Sequence, residues 1–339
     1  MIALDESITN KFNTDGYFVV ENLLDFELDL RPVEEEYAAR LDVLASKWFA
    51  KGKLSSTYED YPFGRRMSQV LVEVGMESHQ FFRPTFSESP KRGSAGEISS
   101  DITVSEDFPI HLGPALFNLL TSPRILDVIE SLIGPEIYSH PLQLVRLKVP
   151  ENMAHQPYWD GVTNRVDWHQ DLGVVHSEAD HTDMISVWFP MTDATIENGC
   201  LVIVPGSHHN GLALHCLPNE SKGKPMTHIP EDLVPLDKAI PMPMKRGSAL
   251  FFHRRLMHSS LPNNSDDLRW SFDFRYTKIG QPSGRSWLPG FVARSRQNPD
   301  SEVHDWREWA DLWHQARIRL AGAGTGPLHR WDDTSPVCL

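Results

Sequence analysis

Several things are scarce in this chain, and each scarcity excludes a class of protein. No run of about 18 apolar residues occurs, so no transmembrane helix is expected. The start, MIALDESITNKF, lacks both a basic segment and an apolar one, so no secretory signal is read there. There are only 3 cysteines, Cys200, Cys216 and Cys338, widely spaced and without a Cys-x-x-Cys pair. An odd, scattered set argues against a disulfide framework and against a thiolate zinc site, and it fits a reducing cytoplasm. Basic residues are outnumbered, 32 Lys and Arg against 46 Asp and Glu, giving a net charge of −14. No basic stripe interrupts that balance, so a phosphate backbone is repelled and nucleic acid is not an expected partner. Repeats and low-complexity blocks are absent as well. The composition is otherwise globular, with 40% hydrophobic and 23% charged residues. Histidine and tryptophan stand out, with 16 and 10 copies.

The first third reads as helical. Val33, Tyr37, Leu41, Leu44 and Trp48 recur at three- and four-residue spacing, which predicts a helix over about 31–50. A second helix is predicted at SPRILDVIESLIG, with Ser122 as N-cap, Pro123 at the first helical position and Gly134 as the left-handed stop. Ser, Gly and charged residues between Lys91 and Asp107 read as an exposed loop.

From Ile137 onward short β-rich runs take over: IYSHPLQLVRLKV, MISVWFPM, CLVIVPGSH, SALFFHRRLMH and RWSFDFRYTKI. No helical pattern separates them, which points to an antiparallel sandwich or barrel rather than a doubly wound sheet. A last helix carries Trp306, Trp309, Trp313, Ala316 and Leu320, a stripe suited to packing on the sheet. The expected whole is one domain over 1–339: a helical N-terminal layer to about 136, a β core over about 137–280 and a C-terminal helix over about 301–320.

The chemistry concentrates at Trp168-His169-Gln170-Asp171. In a strand, His169 and Asp171 point to the same face. A carboxylate turned into an apolar interior costs several kcal/mol unless something offsets its charge, and a divalent metal does so. A His-x-Asp pair with one distant histidine makes a facial triad that leaves three coordination positions open, as in non-haem Fe(II) oxygenases. Further on, RWSFDFRYT alternates, with Trp270, Phe272, Phe274 and Tyr276 on one face and Arg269, Ser271, Asp273 and Arg275 on the other. The polar face is either the solvent face or, if helices cover the aromatic side, the lining of the cavity. In the second case Arg269 is placed to hold a carboxylate bidentately.

Four segments in order resemble the phytanoyl-CoA dioxygenase family of Fe(II)- and 2-oxoglutarate-dependent oxygenases. They are W-H-Q-D at 168–171, W-F-P-M…E-N-G-C-L-V-I-V-P-G-S-H at 188–208, H-S-S-L-P-N-N-S at 258–265, and Arg269, 11 residues after His258. The opening FNTDGYFVVENLL is also similar to the family's first strand and turn. The resemblance implies a double-stranded β-helix (jelly roll, cupin-like) core, mainly β with flanking helices. It implies His169, Asp171 and His258 as iron ligands, and Arg269 on the distal carboxylate of 2-oxoglutarate. Ser260 would lie beside that carboxylate, Trp188 would border the cosubstrate, and Gln143 would contact cosubstrate or substrate.

The cofactors so implied are Fe(II), the cosubstrate 2-oxoglutarate and O2. The implied reaction hydroxylates or otherwise oxidises a small molecule and releases succinate and CO2. Because Asp171 is present, the position that halogenases open for chloride is filled. His258 is preferred to His253 as the distal ligand because the Ser/Asn turn and Arg269 follow it at the family spacing. His208 and His209 follow Pro205-Gly206-Ser207 in an expected turn, where the family commonly has a histidine that is not a ligand. His176 and His181 face either substrate or water. Tyr158, Trp159 and Trp168 either wall a pocket or pack the core, and Arg285, Arg294 and Arg296 either meet a polar substrate or brace the last helix. Two other readings stay open, a cupin-like metalloprotein of hydrolase or isomerase type and a non-catalytic binding protein. The sequence leaves substrate identity and oligomeric state undecided.

Overall fold

The structure, a computed structural model, describes residues 6–86, 104–153, 166–219, 224, 226–323, 330–332 and 334–338. Most of the exposed loop expected between Lys91 and Asp107, together with Tyr158 and Trp159, lies outside them.

Six helices and ten strands organise the described chain. The helices are α1 (Glu6–Asp15), α2 (Arg31–Ala50), α3 (Phe63–Val74), α4 (Pro114–Leu120), α5 (Pro123–Ile133) and α6 (Trp306–Ala323). Strands β1 (Tyr17–Val20), β2 (Glu136–Ser139), β3 (Leu144–Lys148), β4 (Ile185–Pro190) and β5 (Leu201–Ile203) come first. They are followed by β6 (Ile240–Met242), β7 (Ala249–His253), β8 (His258–Ser260), β9 (Arg269–Lys278) and β10 (Phe291–Ser295). The large sheet runs β1-β7-β4-β9-β2-β10, with β3 also on β9; the small sheet runs β6-β5-β8. Every pairing is antiparallel. This is the two-sheet jelly roll of the cupin-like folds.

Alternation along the strands separates two cores. On β4, Ile185, Val187 and Phe189 join the helices, while Trp188 turns between the sheets. On β7, Ala249 and Phe251 face the helices, and Leu250 and Phe252 face inward. The aromatic face of β9 packs outward as well: the Tyr37 ring of α2 lies 5.0 Å from Trp270, and Tyr276 Oη donates to the Leu120 carbonyl at 2.8 Å. Helices thus cover that face, and the polar face of β9 is left to the interior. The solvent-face alternative is thereby excluded, since Arg269, Ser271, Asp273 and Arg275 are all buried.

Helix α2 buries the stripe its spacing predicts, from Val33 to Trp48. At α5 the outcome is mixed. Pro123 opens the helix and Gly134 ends it at φ 89°, but the Ser122 hydroxyl makes no capping bond. Strands β1 and β10 extend the β structure beyond the expected 137–280 core, one on each side. They are only 4 and 5 residues long, too short to show a period.

The cysteine expectation is corrected. Cys216 and Cys338 form a disulfide, and Cys200 remains a buried free thiol. The pair is 122 residues apart in sequence and meets only because the C-terminal tail folds back, which spacing does not encode. The argument from cysteines to a reducing compartment falls with it. Among the described residues no helix is long and apolar enough to cross a membrane.

Candidate metal centre

His169 and His258 are brought together by backbone pairing. Each donates its amide to the other's carbonyl at 3.0 Å, an isolated bridge that joins the metal motif to β8. Gln170 continues extended, and at Asp171 the chain turns into a short helical turn instead of prolonging the strand. His169 and Asp171 still share a face, because one extended residue separates them.

The three side chains are buried, and one donor atom from each lies within 4.8 Å of the others. Nε2 of His169 is 3.8 Å from Asp171 Oδ1, and Nε2 of His258 is 4.0 Å from the same oxygen. Each imidazole donates from Nδ1 to a backbone carbonyl, His169 to Asp167 at 2.8 Å and His258 to Leu256 at 3.0 Å. That fixes the tautomer and leaves both Nε2 lone pairs aimed inward, the arrangement metal-binding histidines require. Burial, and then the neighbouring His258, push the His169 imidazole well below its ordinary value, so it is neutral and able to donate its lone pair.

Asp171 is held from two sides, by Arg275 Nη2 on Oδ1 at 2.5 Å and by the Ser186 hydroxyl on Oδ2. Burial would raise its carboxyl, but Arg275, His258 and His169 outweigh it and hold the group far below the usual carboxylate range. The site therefore presents a neutral His169 nitrogen, the Nε2 atom of His258 beside it and one ionised carboxylate oxygen. That donor set suits Fe(II) or a similar divalent ion and leaves room for exchangeable ligands.

Next to this centre lies a cationic wall. Arg269 is fully buried, with its guanidinium 5.7 Å over the Trp188 ring and one Nη on the Ser271 hydroxyl. Its Nε is buried with no hydrogen-bond partner, and no carboxylate among the described residues pairs with it. Burial and the nearby Arg146 push it down to about 10. An orphaned buried donor on an unpaired guanidinium calls for an anion, so the residues fit a dicarboxylate cosubstrate.

Ser260 sits close by but is joined to Lys148, whose Nζ donates to its Oγ at 2.7 Å and to the Leu261 carbonyl at 2.5 Å. Lys148 faces Arg269 in the β3–β9 register. Sequence reasoning passed over Lys148 and Arg275. The signal for both was present: Arg146 and Lys148 alternate in LVRLK, and Arg275 lies on the polar face of β9 with Arg269.

The remaining candidates are placed as follows. The Gln143 amide bonds Ser139, the His140 carbonyl and both the amide and the carbonyl of Arg275, so it straps the β2–β3 turn to β9. Trp168 packs with Val202, Val204 and Ile229. His253 stands apart from the triad, its ring tilted against those of Phe12 and His208. His208 and His209 reach the carbonyls of Asn13 and Thr14. His181 is exposed, and His176 meets the Trp287 ring edge-on at 5.3 Å. Arg294 and Arg296 pair with Asp127 and Glu130 of α5 rather than bracing α6, and Arg285 bonds the Val174 and Gly284 carbonyls.

The profile of the family described as phytanoyl-CoA dioxygenase (PhyH) matches residues 12–271. The chain belongs to the phytanoyl-CoA dioxygenase family. Among curated relatives, phytanoyl-CoA dioxygenase domain-containing protein 1 of Mus musculus is 27% identical over 301 residues, spanning 86% of this chain and 94% of that protein. Peroxisomal phytanoyl-CoA dioxygenase of Homo sapiens is 30% identical over 155 residues, 45% of this chain and 43% of that one. Among solved structures, the apo form of ThoJ, described as a non-heme monooxygenase, superposes with a TM-score of 0.53 at 19% identity, covering 93% of this chain and 98% of ThoJ. That likeness shows the fold. The His169, Asp171 and His258 cluster and the Arg269 wall thus lie in a phytanoyl-CoA dioxygenase family jelly roll, between its two sheets.

Proposed function

We propose that this protein is an Fe(II)- and 2-oxoglutarate-dependent dioxygenase that hydroxylates, or otherwise oxidises, a small molecule. One observation carries the reading: two Nε2 atoms with fixed tautomers and one ionised carboxylate oxygen converge within 4.8 Å in a buried pocket. His169, Asp171 and His258 would hold the iron. Arg269 would take the distal carboxylate of 2-oxoglutarate, with the Trp188 ring against it and Ser260 and Lys148 at its side. Iron, 2-oxoglutarate and O2 together supply the oxidation of substrate, with release of succinate and CO2.

This chain's own residues do the rest. Arg275 and Ser186 hold the Asp171 carboxylate in one orientation, so it serves as a ligand without reorganising. The two sheets exclude water around Arg269, which strengthens its hold on an anion. With iron bound, Asp171 would take up a coordination position, which favours oxidation of the substrate over halogenation.

The test is anaerobic reconstitution with Fe(II) and 2-oxoglutarate, followed by optical spectroscopy, and then admission of O2 and an assay for succinate. A visible charge-transfer band that needs both additions supports the reading. Metal binding with neither band nor succinate would shift it to a cupin-like hydrolase or isomerase, and no metal binding at all would leave a non-catalytic binding protein.

A further inference from the structure

Of the residues described after α6, Arg330 and Trp331 contact the segment that follows Asp171 at several points. The Arg330 guanidinium makes two bonds to the Asp180 carboxylate, one of them 2.9 Å long. Trp331 Nε1 donates to the Gly173 carbonyl at 2.6 Å, two residues beyond Asp171. The Trp331 ring stacks on His215, with centroids 5.1 Å apart and planes at 23°.

His215 is the link to the ligands. Its Nδ1 donates to the Ala213 carbonyl, and its Nε2 accepts the Gln170 amide at 3.0 Å. Gln170 is the residue between His169 and Asp171, so the ring that Trp331 covers holds the backbone that spaces two proposed ligands. Gly173 makes this contact possible, since a Cβ there would lie 2.2 Å from the His215 ring.

The far end of the tail is fixed covalently. Cys338 is joined to Cys216, one residue from His215, and Cys216 pairs by backbone bonds with His228. The next residue, Ile229, donates its amide to the Trp168 carbonyl at 2.6 Å, directly before His169. Tail and turn are therefore held together on both sides of the His-x-Asp motif. The noncovalent part of that hold is modest. The Arg330–Asp180 pair is partly exposed, and such pairs contribute little alone. The disulfide keeps the tail at high effective concentration over its docking site.

We propose that residues 330–332 and 334–338 form a disulfide-latched strap in which Trp331 is a positioning residue, setting through His215 the spacing of His169 and Asp171, and that opening the latch loosens the metal site. This rests on the ligand assignment above. The redox step needs a dithiol reductant. One of its thiolates attacks a sulfur of the Cys216–Cys338 bond to form a mixed disulfide, and its second thiol displaces the protein thiolate. Two electrons and two protons pass to Cys216 and Cys338, and the reductant leaves as a cyclic disulfide. A groove of about 160 Å³, lined in part by Cys216, Cys338, Val337 and His228, gives solvent access beside the bond.

Hydrogen exchange and Co(II) binding test the strap on the full chain. The amides of Leu172 and Gly173 are bonded to the carbonyls of Arg254 and Gln170 and report on the turn. Reduction of the folded protein and Cys338→Ser should each speed their exchange about 10-fold or more while leaving α2 unchanged. Co(II) affinity should fall about 10-fold or more in the same two samples. Trp331→Ala should match them, whereas Trp331→Phe, which keeps the ring stack and loses the donor, should fall between it and the parent. Unchanged exchange and unchanged Co(II) affinity after reduction and in Cys338→Ser would overturn the proposal. If no form binds Co(II), the ligand assignment fails, and the exchange data still decide whether the tail restrains the turn.

Discussion

Arg275 Nη2 lies 2.5 Å from Asp171 Oδ1, the same oxygen that faces His169 Nε2 at 3.8 Å and His258 Nε2 at 4.0 Å. One carboxylate oxygen is thus the meeting point of a permanent cation and two imidazole nitrogens. In metal-free protein Arg275 supplies the positive charge that makes an ionised, fully buried Asp171 tolerable.

Arg275→Met removes that charge and keeps much of the volume. Leaving a buried carboxylate unpaired costs about 3–5 kcal/mol, so metal-free R275M should be destabilised by that order. A divalent ion would then offset the same charge, so Co(II) should raise the melting temperature more in the variant than in the parent. Thermal melts with and without Co(II) check this. Equal metal-induced shifts in the two proteins would show that Arg275 does not govern the charge on Asp171.

His258 and His253 are separated by one short turn and have opposite surroundings. His258 sits against Asp171, while His253 accepts the Arg255 amide at 3.1 Å and packs on Phe12 and His208. His258→Ala should abolish metal binding and turnover. His253→Ala should retain metal binding and lose only packing, within the ordinary range of about 0.5–3 kcal/mol. Calorimetric Co(II) titration of both variants separates the two, and loss of binding in His253→Ala alone would reassign the ligand.

Arg269 forms no ion pair among the described residues, so its worth should show when the anion arrives. Arg269→Ala should weaken 2-oxoglutarate binding by about 2–5 kcal/mol, the usual cost of removing one partner of a buried charged pair. Metal affinity should change little, because Arg269 touches none of the three proposed ligands. Titration of 2-oxoglutarate into the metal-loaded variant measures the effect, and parental affinity would remove Arg269 from the cosubstrate site.

How much of this was legible in the sequence depended on whether a local period carried it. The α2 stripe and the alternation of β9 repeat often enough to be read directly, and the faces they assign are the faces observed. His169 and Asp171 were legible because residues i and i+2 of an extended segment share one face, with a single residue between them. Arg275 was visible on the same polar face as Arg269, but its partner lies 104 residues away and only the fold brings them together. The Cys216–Cys338 pair and the Trp331–His215 stack are of the same kind, since both join a tail to a loop through tertiary contact alone. Gln143 shows the reverse limit. The sequence reads it as part of the strand before the motif, but it lies in the turn just ahead of β3, and the backbone groups that occupy its amide were not readable.

Three histidines make stability depend on pH in a defined direction. His140 Nδ1 accepts the Leu142 amide, His215 Nε2 accepts the Gln170 amide and His253 Nδ1 accepts the Arg255 amide, so none gains a proton without losing a bond. Burial is the main cause that pushes them down, to about 3 for His140, about 4 for His215 and about 3 for His253. In the unfolded chain each titrates near 6.5. Between about pH 6.5 and 4 the unfolded state therefore binds protons that the folded state refuses, and stability falls with pH by about 1.4 kcal/mol per unit for each group. Above pH 6.5 both states are neutral and the dependence vanishes. Asp171, held far below the carboxylate range, adds a loss of the same sign below about pH 4. Urea midpoints of metal-free protein at pH 7.5, 6.5, 5.5 and 4.5 should stay level between the first two and then drop. His140→Gln should reduce the slope of that drop by about one proton's worth, while a flat profile down to pH 4.5 would mean that these imidazoles are free to protonate in the folded state.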